Sequence, residues 1–227
     1  MESVDSNIAA DSLKLAHSLA EGFRTILYWR PIVPGLNDTD DHIDRAMALG
    51  SHAHATVFTG LFYRHQMREF FREQGVPEPY SETARRKVMP EAVETRIIDK
   101  FRENGLLGRL FRKTSCGVAF AHGVSDYNGH YGIRELCDIC PESQLARCRG
   151  AWRPPALSDV TEMARSMGAT GAVTVTNRAV ELEGLDEQRR YFIQHSLGYQ
   201  VHDRKYPHRV KRHGRAEIGW DGAEAQT

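Results

Sequence analysis

Every cysteine of this 227-residue chain, Cys116, Cys137, Cys140 and Cys148, falls in one stretch, RKTSCGVAFAHGVSDYNGHYGIRELCDICPESQLARC. Thiols scattered through a hydrophobic core do not gather this way. The spacing is C-x20-C-x2-C-x7-C, and a C-x2-C pair brings two sulfurs to one metal across a tight turn. Four thiolates fill a tetrahedral zinc site or hold a 4Fe-4S cubane. The dipeptide Cys140-Pro141 matches the one that closes ferredoxin-type ligand runs. The spacing suits both metals. Two disulfides are the remaining arithmetic option. No apolar leader precedes the window, so the expected compartment is the cytoplasm, where clustered cysteines bind metal. Metal ligation by all four cysteines is the expectation.

Charge adds little to this. Lys plus Arg and Asp plus Glu are equal at 30 each, so no global field draws the chain to nucleic acid or to a membrane surface. No apolar run approaches the roughly 20 residues a membrane helix needs. One local exception is RKYPHRVKRHGR, residues 204–215, with six Lys or Arg, two His and no acid. Such a segment suits a phosphate backbone or a solvated tail.

The first half reads as strand, helix and strand. Residues 25–33 form an apolar run of the kind that a strand buried on both faces carries, stopped by Pro34-Gly35. Asn37, Asp38 or Thr39 caps the helix that follows, whose inward face is Ile43, Ala46, Met47 and Gly50. Residues 55–63 return as a second strand, parallel to the first. Ligands gather at the carboxyl ends of parallel strands, which places Arg30, Pro31, Ile32, Phe62, Tyr63 and Arg64 at a candidate site. As core and surface residues they need no ligand: Ile32 and Phe62 pack, and Arg30 and Arg64 meet solvent. Helices are expected over 65–74 and 90–104.

The stretch YWRPIVPGLND, then a helix, then ATVFTGLFYR resembles the fifth strand, helix and sixth strand of a radical S-adenosylmethionine enzyme barrel. The resemblance covers residues 24–150. It implies that Pro31 and Ile32, with Arg30 nearby, contact the adenine of S-adenosyl-L-methionine, and that Phe62, Tyr63 and Arg64 contact the adenosyl portion. The cysteine window resembles by type the auxiliary iron–sulfur segments that follow such barrels, although its spacing differs from the best-known pattern. The family's defining C-x3-C-x2-C triplet is missing, and so is room for the first four strands. The resemblance therefore implies the C-terminal half of such an enzyme, unable to cleave the cofactor alone, with the missing N-terminal half on a partner chain or a longer parent. The alternative is a non-catalytic zinc module contacting nucleic acid through its basic tail.

The expected fold class is α/β. It comprises a partial barrel over 1–110, a cysteine-rich metal segment over 111–152, a small α+β appendage over 153–205 and a basic tail over 206–227. Within the metal segment, His122, Asp126, Tyr127, Asn128 and His130 have the chemistry to bind substrate or move protons. Turn formation around the metal explains most of the same residue types, with Asp126 and Asn128-Gly129 shaping turns and His130 as a supporting donor. The appendage reads as a helix over 157–167, a hairpin turning at Asn177-Arg178 and a helix over 186–197. That order suits a winged-helix-like module or a cover for the open side of a half barrel.

Overall fold

The computed structural model describes residues 5–81, 83, 87 and 89–204. The basic segment therefore lies outside the described residues beyond Arg204. The chain divides into two compact units, Met1–Gly123 with Ile139–Pro141, and Val124–Asp138 with Glu142–Thr227. The division runs through the cysteine window. No helix among the described residues is long and apolar enough to cross a membrane.

In the first unit a parallel three-stranded sheet runs in the order β1 (Ile26–Ile32), β2 (Ala55–Gly60), β3 (Leu110–Phe111). Central β2 is almost wholly buried. Phe58 packs on one face with Ile32, Ile43, Ile97, Phe101 and Leu110. Ala55 and Val57 pack on the other face with Phe111. A side chain of this size contributes about 1.5–3 kcal/mol when fully buried, so these two clusters hold the sheet between its helices.

The expectation that the first strand is buried on both faces fails. Among the described residues β1 pairs with β2 alone, and Tyr28, Arg30 and Pro31 are exposed. Tyr28 and Arg30, two positions apart on one face of the strand, meet solvent, and the Arg30 guanidinium lies 4.7 Å from the centre of the Tyr28 ring; apolar character along the chain does not decide what packs over that face. A register irregularity between Trp29 and Ile32 returns Ile32 to the side that Trp29 already faces. Both residues then pack on the same core.

Helix α2 (Asp40–Gly50) connects β1 to β2, and it buries the four residues its periodicity marks, Ile43, Ala46, Met47 and Gly50. Thr39 is its N-cap. Asp38 has another role: its carboxylate accepts the Gly35 N–H at 2.7 Å and pairs with Arg96 at 3.1 Å. Gly35 sits at φ +77, a conformation that favours glycine. Helices α3 (His65–Glu73) and α4 (Glu91–Glu103) follow, with Val93, Ile97, Ile98 and Phe101 of α4 inward as expected. Helix α5 (Thr114–His122) packs on β2 through Gly117, where an added Cβ would lie 2.7 Å from Val57 Cγ2.

One element carries no strong apolar signal in the sequence. Helix α1 (Ser6–Ser18) buries only Ala10 and is tied down by polar bonds. Arg45 Nη2 donates to Asn7 Oδ1 at 2.9 Å, and His17 Nδ1 lies 2.9 Å from Thr25 Oγ1. The Thr25 N–H in turn donates to His54 Nδ1. Burial and the neighbouring His17 hold the His54 imidazole below its usual pKa.

The second unit begins with α6 (Arg134–Cys137) and α7 (Glu142–Ala151), then α8 (Leu157–Ser166). The anticipated hairpin is β4 (Thr174–Val175) against β5 (Val180–Leu182), and α9 (Glu187–Leu197) leads to β6 (Val201–Asp203), parallel to β5. Val160, Ala164, Val180, Leu182, Leu185, Ile193, Tyr199 and Val201 form its core. The Asp186 carboxylate caps α9 by accepting the Arg189 N–H at 2.8 Å. Asp186→Ala should cost about 1 kcal/mol, read as a lower urea midpoint of this unit. An unchanged midpoint would mean that the cap contributes nothing.

Candidate metal centre

Each unit holds two of the four cysteines, and none of the four is in a disulfide. In the first unit Cys116 lies on α5, just beyond β3, and Cys140 lies in the segment 139–141; both pack against the cluster of Ala55, Val57 and Phe111. Lys113 immediately precedes α5. Burial pulls its ammonium down to about 8, with the Cys116 thiol opposing that shift and Lys87 adding to it.

In the second unit Cys137 ends α6 and Cys148 lies on α7. Burial raises the pKa of both thiols, and each raised value is opposed by nearby N–H donors. The Gly132 N–H favours the Cys137 thiolate. Cys148 Sγ accepts the Asp126 N–H at 3.4 Å and Gln144 Nε2–H at 3.4 Å. Gln144 is one helical turn before Cys148 and 1% exposed, and it also donates to the Val124 carbonyl. A neutral thiol has little use for two donors, whereas N–H bonds to sulfur stabilise and tune a metal-bound thiolate.

The loop between Cys116 and Cys137 shows the turn chemistry anticipated for it. Asp126 accepts the backbone N–H groups of Asn128 and His130, at 3.1 and 2.9 Å, and its carboxylate lies 3.2 Å from His130 Nδ1. Gly129 adopts φ +66, and an added Cβ would meet Tyr199 Cα at 2.6 Å. Only glycine fits there. Tyr127 is exposed, and so is His122 at the end of α5.

The strand-end residues divide by exposure. Ile32 belongs to the core cluster beneath α2 and α4. Tyr63 is enclosed with Val33, Leu61, Met67 and Phe71, and its hydroxyl donates to Glu78 at 3.1 Å. Phe62 is half-buried, with the Arg64 guanidinium 4.4 Å from its ring centre. Arg30, Pro31 and Arg64 are exposed. Of these six residues, Arg30, Pro31, Phe62 and Arg64 keep accessible surface, and Ile32 and Tyr63 are buried behind them.

No family model, curated protein or solved structure matches the chain. For a thiolate-bound metal the donor set fits in type and number. The chain has as many cysteines as such a group takes ligands, and the two in the second unit already have N–H donors turned toward sulfur. Sequence reasoning passed over Gln144, although its i, i+4 spacing to Cys148 was visible. It also passed over Gln194 and Gln200, which donate to the Asn128 carbonyl from 66 and 72 positions away and leave no local signal.

Proposed function

We propose that Cys116, Cys137, Cys140 and Cys148 hold a 4Fe-4S cluster, and that the chain is the C-terminal portion of a cytoplasmic radical S-adenosylmethionine protein. The observation that carries the cluster is Cys148, whose buried sulfur accepts N–H bonds from Asp126 and Gln144. A cubane with four thiolate ligands supplies one-electron transfer and leaves no iron open for the cofactor's amino and carboxylate groups. The chain's own residues contribute ligation, N–H bonds to sulfur and burial. None of its cysteines forms a C-x3-C-x2-C triplet, so cofactor cleavage belongs to the parent or to a partner chain. The edge position of β1 supports such a partner, because an open parallel edge invites a further strand. In that parent, Arg30, Pro31, Phe62 and Arg64 offer contacts to the adenosyl group of S-adenosyl-L-methionine.

One observation favours a second reading. The Asp126–His130 pair has the carboxylate–histidine arrangement that supports zinc ligands, which fits a zinc module using its basic segment on nucleic acid. Anaerobic electron paramagnetic resonance separates the two. A brown protein that gains a 4Fe-4S signal on reduction with dithionite supports the cluster. A colourless, silent, zinc-loaded protein overturns it.

A further inference from the structure

We infer that Gln200 is a positioning residue for the sulfur of Cys148, acting through the loop that carries Asp126. This inference rests on the reading of Cys148 as a metal thiolate. It gives the appendage a task at the metal centre, beyond closing its own core.

The connections all lie within the second unit. Gln200, 8% exposed, precedes β6 and donates from Nε2 to the Asn128 carbonyl at 2.6 Å. Gln194 of α9 reaches the same carbonyl at 3.4 Å. One residue on, Gly129 presses against the backbone of residues 198–200 with no room for a side chain. Arg178, from the hairpin turn, donates to the Tyr131 carbonyl at 2.6 Å. The loop is thus held at three places, Asn128, Gly129 and Tyr131, by residues of α9, the segment before β6 and the hairpin.

What that anchorage fixes is the Asp126 backbone. The Asp126 carboxylate gathers the N–H groups of Asn128 and His130, making residues 126–130 one hydrogen-bonded turn. The Asp126 N–H at the start of that turn points at Cys148 Sγ. A shift of Asn128 moves the whole turn, and with it the donor on the sulfur. Removing a hydrogen bond made directly to a metal ligand typically alters affinity by about 10–100-fold, and Gln200 acts one step further back, so its effect belongs at the lower end of that range.

The test uses the full chain, purified anaerobically with its metal, and follows metal loss to EDTA over time. Gln200→Met keeps the side-chain volume and removes the donor; Gln200→Asn keeps an amide too short to reach Asn128. Phe192→Ser, at an exposed site on α9, serves as the control. Trp152 packs against the core of this unit, and in a background with Trp29→Phe and Trp220→Phe its fluorescence reports whether each variant is folded. The expected result is metal loss about tenfold faster in both Gln200 variants, with the control at the wild-type rate and the Trp152 unfolding midpoints close to wild type. Wild-type loss rates in folded Gln200 variants would overturn the inference and leave the metal reading standing. A variant that unfolds without releasing metal faster would overturn it too. Wild-type protein without bound metal would overturn both.

Discussion

Cys148→Ser should empty the proposed metal centre and lower the stability of the second unit more than any other single cysteine change. Serine offers a shorter, harder oxygen in place of a thiolate, and it would sit buried beneath donors from Asp126 and Gln144 that are placed for sulfur. A structural metal contributes folding free energy on the order of 10 kcal/mol. Loss of one ligand should therefore exceed a core truncation in the same unit, which costs about 2–5 kcal/mol. Cys137→Ser and Cys140→Ser should lose metal as well. The expected outcome is less than one-tenth of wild-type metal by elemental analysis and a lower thermal midpoint. In metal-stripped protein the same substitution should change the midpoint little, which separates lost ligation from lost packing. Full metal retention by Cys148→Ser would remove it from the ligand set.

Acid should destabilise the second unit through His202. The residue lies in β6 and is 3% exposed. Burial holds its pKa down at about 3, with Arg190 and Arg178 adding to the shift. The folded state thus keeps the imidazole neutral where the unfolded chain, titrating near 6.5, takes up a proton. Between those two values the unfolded state binds more protons, so stability rises with pH and falls as pH drops. The loss begins below about pH 6.5, approaches a slope of about 1.4 kcal/mol per pH unit, and levels off only near the folded pKa. Urea unfolding followed by Trp152 fluorescence in a Trp29→Phe, Trp220→Phe background should show a midpoint that falls steadily from pH 7 to pH 5. His202→Gln, which cannot be protonated, should be flatter over that range. Parallel pH dependence in the two proteins would show that His202 stays charged when folded or carries no part of the effect.

The β-α-β unit was legible because its element boundaries and the inward face of its helix follow from local pattern. The apolar runs of β1 and β2, the Pro34-Gly35 stop and the inward stripe of α2 all follow from near-neighbour chemistry. Whether a strand is central or at an edge depends on what pairs beside it, and residues 25–33 do not encode that. Helix α1 escaped notice for a related reason: its attachment comes from Arg45, Thr25 and His17 rather than from an apolar stripe. Strand β6 reads as polar in VHD, yet His202 and Asp203 are buried, so tertiary contact overrides the local signal. At the candidate site, Asp126 and Asn128-Gly129 announce a turn by residue type alone. The donors that anchor that turn, Gln194 and Gln200, become neighbours of Asn128 only through folding.

The proposed cysteine-held cluster is tested most directly by counting iron, acid-labile sulfide and zinc in the chain after strictly anaerobic purification. A cubane on Cys116, Cys137, Cys140 and Cys148 predicts about four irons and about four sulfides per chain with zinc near zero, and the iron should disappear in Cys148→Ser. About one zinc per chain with neither iron nor sulfide, or no metal at all in freshly isolated protein, would contradict it.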